Sequence, residues 1–151
     1  MKILLVAIAS LLALTSLAFA HCQVPCGIYD DQARLDALGE NITTIEKAMK
    51  MIGDLSDDAE PNYNQIVRWV EAKNHHADDI AEIVSWYFLQ QRVKPADEAD
   101  AVAYEAYARK LTLLHGMLVQ SMKAKQTTDL AHVVELRTLL DEFGKAYMTG
   151  K

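Results

Sequence analysis

Cysteine is scarce and gathered in one place: the only two thiols of the chain, Cys22 and Cys26, lie close together near its start. No disulfide can staple distant parts of the chain, so the fold must rest on its core. Proline is almost as rare, with Pro25, Pro61 and Pro95 alone, which leaves long stretches free to run as unbroken helix. There is no Gly-rich phosphate loop, no Gly-x-Ser-x-Gly elbow, no His-Glu-x-x-His pair, no internal repeat and no strand-like alternation. Positive charge is short as well: 15 Lys and Arg stand against 21 Asp and Glu, a net charge of −6. With no basic run to offset it, that balance excludes nucleic acid or an anionic membrane surface as a partner held by a broad field.

The longest apolar run is at the start. Residues 1–20 carry one charge, Lys2, then an apolar stretch from Ile3 to about Leu17 and the tripeptide Ala18-Phe19-Ala20. This is the order of a secretory signal peptide and its cleavage site. The run is near the minimum length of a membrane anchor. It ends in small residues rather than a charged stop, which favours cleavage between Ala20 and His21 and export to the periplasm or beyond the cell. No membrane association is expected after cleavage, and residues 21–151 form one domain.

That domain reads as all-α, an antiparallel four-helix bundle. Leu35, Leu38, Ile42, Ile45, Met49 and Ile52 recur at steps of three and four, predicting a helix from about Asp31 to Gly53, with Asp30 or Asp31 as its cap. After an acidic linker, Asp54 to Pro61, a second helix aligns Ile66, Val70, Ala77, Ile80, Val84 and Tyr87 and stops before Pro95. A third aligns Tyr104, Tyr107, Leu111, Leu114, Leu118 and Met122, and a fourth Leu130, Val133, Leu140, Phe143 and Tyr147. Aromatic and Met stripes at this spacing are core, so the chemistry falls to the segment in front.

That segment, residues 21–29, is an N-terminal metal-binding hook. Cleavage ahead of His21 gathers an α-amine, an imidazole and two thiols within six residues, His21 to Cys26. The amine, the deprotonated amide nitrogen of Cys22 and the Cys22 thiolate can close two fused chelate rings. The Cys26 thiolate completes a plane, and the imidazole approaches from above. Two nitrogens and two sulfurs in a plane suit a late transition metal, nickel or copper, whereas zinc prefers a tetrahedron and has no redox chemistry. A one-electron redox site is the natural use. Pro25 can turn the loop back, through a cis bond if required, and Gly27 relieves crowding. Tyr29 is near enough to reach over the open face, or simply to pack the hook on the bundle.

His21-Cys22-x-x-Pro25-Cys26-Gly27-x-Tyr29-Asp30, followed by Gln32-Ala33-Arg34-Leu35-Asp36, resembles the nickel hook of the nickel superoxide dismutase family. The resemblance implies disproportionation of superoxide to dioxygen and hydrogen peroxide, with nickel cycling between Ni(II) and Ni(III), in a homohexamer of four-helix bundles. It implies His21, Cys22 and Cys26 as nickel ligands and Tyr29 at the substrate entrance. It makes Asp36 the carboxylate that orients the imidazole, a role expected for any histidine ligand. By the same resemblance Tyr87, in Ser85-Trp86-Tyr87-Phe88, would face the same cavity, and Arg68 or Lys73 would be the carboxylate's basic partner. The chain departs from the family in having Gln23 where Asp is usual, and in the signal peptide, which replaces a dedicated propeptide.

Other groupings are weaker. His75 and His76, with Glu71, Asp78, Asp79 and Glu82, could assemble a second metal site, although a solvated acidic helix face accounts for them more simply. His115 and His132 read as structural. Asn41-Ile42-Thr43 matches a glycosylation sequon but falls inside the first helix. Two functions compete with dismutation: a copper or nickel buffer without turnover, for which a shaped entrance would be superfluous, and a structural protein whose two cysteines form a disulfide.

Overall fold

A computed structural model describes residues 23–149, so the leader and the first two hook residues, His21 and Cys22, lie outside the described residues. Four helices follow the hook. They are α1 (Asp31–Asp57), α2 (Tyr63–Glu82), which continues without a break as a π-helical segment (Ile83–Arg92), α3 (Ala101–Gln126) and α4 (Ala131–Met148). Each of the first three begins on a side chain that accepts from an otherwise orphaned amide: Asp30 from Ala33, Asn62 from Gln65 and Asp100 from Ala103. At the start of α4 the Asp129 carboxylate takes the Ala131 amide instead.

Short connectors reverse the chain three times. Cross-links confirm the antiparallel arrangement: Arg109 in the first half of α3 pairs with Glu142 near the end of α4, and Lys73 of α2 reaches the last turn of α3. Successive helices pack on one another and α1 packs on α4, closing the bundle. At the far end from the hook, the buried Lys73 ammonium donates to the Ala124 and Lys125 carbonyls. It thereby caps carbonyls that the last turn of a helix leaves unpaired. Burial and the nearby Lys125 push its pKa below the usual lysine value.

The apolar stripe expected for α1 is buried throughout: Leu35, Leu38, Ile42, Ile45, Met49 and Ile52. The other stripes need correction. In α2, Ala77, Ile80, Val84 and Tyr87 are buried while Ile66 and Val70 are only partly covered. In α3, Tyr104 and Met122 are exposed, and the buried ridge is Leu113, Leu114, Met117, Ser121 and Ala124. A residue tightly packed between two neighbours can be small, and a search for large apolar side chains passes over Ser121 and Ala124. In α4, Leu136 is buried and Leu130 is exposed at the cap. Nor does α1 end at Gly53. One glycine costs a helix only about 1 kcal/mol, and the chain runs on to Asp57 with the Ser56 hydroxyl bonded back to the Ile52 carbonyl.

The π segment was not foreseen. Its wider turn, bonded from i to i+5, is closed at the end by the Val93 amide donating to the Phe88 carbonyl at 2.8 Å. The segment presents Tyr87, Gln91 and Arg92 toward the start of α1 and sends Phe88 into the core. There Phe88 meets Phe143 edge-on at 4.9 Å and Tyr147 at 5.4 Å. Because Phe88 is fully buried where the π segment meets α4, Phe88→Ala should lower the unfolding free energy by about 3–5 kcal/mol. Urea unfolding followed by circular dichroism measures this, and a loss below 1 kcal/mol would mean the cluster is not a packed core.

Candidate metal centre and its tyrosine cluster

The described part of the hook is two successive turns. The Cys26 amide donates to the Gln23 carbonyl at 2.9 Å, across a cis Val24–Pro25 bond, and the Ile28 amide donates to the Pro25 carbonyl at 2.8 Å. A cis proline in third place makes the first a type VI turn. Gly27, third in the second turn, has φ +80°, a conformation glycine adopts without steric penalty. The double turn leaves Cys26 as a free, exposed thiol.

Behind the hook stands Tyr29. Its hydroxyl donates to Gln91 Oε1 over a long 3.4 Å, its ring meets Tyr87 edge-on at 5.9 Å, and the Arg92 guanidinium lies 4.3 Å from its centroid. Tyr29 and Tyr87, placed together by sequence reasoning, are therefore neighbours. Gln91 is locked in turn, its amide donating to the Trp86 carbonyl at 2.9 Å.

Asp31 organises this cluster. Asp30, not Asp31, caps α1, so the Asp31 side chain is free to point inward, where it is buried. Arg92 grips it with both arms of its fork, Nε to Oδ1 and a terminal nitrogen to Oδ2, each at 2.8 Å. The Tyr87 hydroxyl donates to Oδ1 at 2.6 Å and the Tyr147 hydroxyl to Oδ2 at 3.1 Å. One carboxylate thus joins α1, the π segment and α4. Burial, then the hydrogen bond and charge of Asp31, hold the Tyr87 pKa well above the ordinary tyrosine value; burial and Asp31 also raise that of Tyr147. The hydrogen bond to Asp31 raises the Arg92 pKa further.

The remaining expected residues lie elsewhere. Asp36 is exposed, accepts from Gln32 Nε2 at 2.8 Å, and lines a groove between α1 and α4 with Thr43 and Arg137. Its expected partner, His21, is outside the described residues. Lys73 is committed to the end of α3 and Arg68 is exposed on α2, whereas the arginine that pairs with a carboxylate beside the tyrosines is Arg92. Asp31, Arg92 and Tyr147 were missed because their meeting spans three helices.

His76 Nδ1 lies 2.7 Å from Asn41 Oδ1, and both histidines are 3.7 Å from Asp79. No group of three or more His, Cys, Asp or Glu side chains among the described residues could hold a metal. The second metal site is therefore not formed by the described residues. Asn41 is buried within α1, which closes its sequon to glycosylation. His132 bonds to Gln120, a structural contact, and His115 is exposed.

The described residues form an all-helical bundle with an exposed cysteine on a double turn, backed by two tyrosines, the arrangement of a candidate metal-binding hook. A family model, that of the nickel-containing superoxide dismutases, matches residues 16–151, and the chain belongs to that family. It is thus a nickel-dependent superoxide dismutase, an oxidoreductase whose substrate is superoxide. No match was found among curated proteins or among solved structures.

Two outcomes follow from the Asp31 cluster. Asp31→Asn leaves the Arg92 charge half-buried without its counter-ion and should destabilise the fold by about 3–5 kcal/mol, read by denaturant unfolding. Because folding raises the Tyr87 pKa above its value of 10.0 in the unfolded chain, the proton it retains contributes stability that is fully present below that pH. That stability is lost as pH rises through the higher folded value. Thermal unfolding temperatures should fall above about pH 10, less steeply in Tyr87→Phe; equal slopes would dissociate this tyrosine from the effect.

Proposed function

We propose that dismutation takes place at a hook completed by export, in which His21, Cys22 and Cys26 hold one nickel ion per subunit. The observation that carries this reading is the exposed Cys26 thiol on a turn whose next aromatic residue, Tyr29, is held against Tyr87. A planar set of nitrogen and thiolate donors suits Ni(II), and the bound nickel supplies the one-electron couple. The chain's own residues do the rest.

Cys26 would bind as a thiolate from a turn already shaped by Pro25 and Gly27, so this donor needs little further ordering. Dismutation consumes two protons for each peroxide formed. Tyr87 keeps its proton bound toward Asp31, which makes it a fixed wall of the entrance. Tyr29, whose bond to Gln91 is long and whose side chain is partly exposed, is the hydroxyl free to turn toward an entering anion. Asp36 is the proposed acceptor for the His21 imidazole, supported by its place in the Gln32-Ala33-Arg34-Leu35-Asp36 run; its bond to Gln32 is exposed and can be exchanged.

The same reading includes a signal peptide over residues 1–20, release to the periplasm or the medium, and assembly as a homohexamer. The charge pattern and small-residue ending of the leader support export. Among the described residues no helix is long and apolar enough to cross a membrane. The hexamer rests on the family resemblance.

A protein extended by one residue ahead of His21 should keep its helical circular dichroism and lose superoxide activity, because the amine becomes an amide and the first chelate ring cannot close. Full activity in a chain shown by mass spectrometry to be unprocessed would sink the model. Cys26→Ser and Cys22→Ser should each abolish the thiolate-to-nickel absorption together with turnover, since a hydroxyl is a poor substitute for a soft thiolate. A metal buffer without turnover would bind nickel and fail the superoxide assay in the unmutated protein.

A further inference from the structure

Superoxide is an anion, and the chain it must approach carries a net charge of −6. Among the described residues two cations stand beside the hook. Arg92 is the nearer to Tyr29, but its charge is cancelled by the bidentate pair with Asp31. Arg34 is different. It projects from the first turn of α1 across the face of Tyr87, its guanidinium 5.4 Å from the ring centroid, and it is exposed.

Arg34 lines a cleft of about 160 Å³ whose other walls are Gln23, Val24 and Pro25 of the hook and Glu82, Ile83, Trp86 and Tyr87 of the helix behind it. The described hook residues that line that cleft are uncharged. Asp30, one turn before Arg34, keeps its charge but is turned to the Ala33 amide, and neither it nor Glu82 forms an ion pair with Arg34 among the described residues. A cation anchored over an aromatic ring, with its charge open to a cleft between the hook and Tyr87, is placed to concentrate small anions there.

We propose that Arg34 draws superoxide to the hook, through the cleft between Pro25 and Tyr87. It is a steering residue: it raises the local concentration of the anion and takes no part in electron transfer. Glu82, on the same cleft, opposes it. The inference rests on superoxide being the substrate, but its first test does not depend on turnover.

Trp86 lies in the cleft and is half exposed, so it reports which small solutes enter. In the nickel-free processed protein carrying Trp69→Phe, Trp86 is the remaining indole. Its fluorescence should be quenched by iodide more strongly than in the same protein bearing Arg34→Gln. The expected difference at low salt is about two- to fourfold, the enrichment a single charge gives a few ångströms away in water. Quenching by neutral acrylamide should be the same in both, and Arg34→Lys should restore the iodide response. Equal iodide quenching with and without the Arg34 charge would overturn the proposal. So would an equal fall in acrylamide quenching, which would assign Arg34 a packing role.

The second test uses the nickel-loaded enzyme with both tryptophans intact. kcat/KM for superoxide should fall as ionic strength rises, the dependence should vanish or reverse in Arg34→Glu, and it should steepen in Glu82→Gln. An unchanged salt dependence in Arg34→Glu would overturn the proposal while leaving the dismutase activity itself standing. Loss of activity at all salt concentrations in the unmutated enzyme would instead count against the hook.

Discussion

A buried carboxylate must be paired or the fold carries an unpaid charge, and Asp31 resolves this by drawing three other side chains to itself. Arg92 supplies the counter-charge in a bidentate geometry that also fixes its plane. With that plane fixed, the guanidinium lies over the Tyr29 ring and the Tyr87 hydroxyl donates to the same carboxylate. Tyr147 brings in the last helix. The wall behind the metal hook is thus set by the same interaction that ties the start of the bundle to its end. A buried pair of this kind adds little net stability over an apolar substitute. Its value lies in orientation.

The division of labour between the two tyrosines follows. Tyr87 is held by a short bond to a carboxylate, inside a run of edge-on rings that continues through Phe88 to Phe143 and Tyr147. Tyr29 stands at the exposed end of that run, bonded only weakly to Gln91. In the proposed entrance the firmly held inner ring would be the wall and the loosely bonded outer one the lip. The π-helical turn is the backbone counterpart of this arrangement, because its i to i+5 bonding sets Tyr87 and Arg92, five residues apart, on one side, where they converge on one carboxylate. Bulges of this type recur at functional positions, and here the wider turn carries the residues that frame the site.

Electrostatics at the entrance are equally uneven. The chain is acidic, the nearest arginine is neutralised, and the open charge of Arg34 sits on the hook's own cleft. Such a local exception favours the approach of an anion to an acidic protein, since the field close to a charge outweighs the screened field of the whole surface.

The helical class and the four helices were legible in the sequence for local reasons. Apolar spacing at three and four residues declares a helix wherever it occurs, whereas the proposed chelate was read from a histidine and two cysteines beside an expected cleavage site, of which the structure describes Cys26 alone. Tyr29 and Tyr87 were picked out by their motifs, and the structure sets them together. What the sequence could not determine was every relation between residues far apart in the chain. Asp31 looks like a helix cap until Asp30 takes that role. Arg92 looks like a last-turn cation until α4 carries Tyr147 to the same oxygen pair. Ser121 and Ala124 look like surface until two helices close over them. Each depends on which faces meet once the bundle closes, and that is decided by the packing of all four helices at once, not by the periodicity of any one of them.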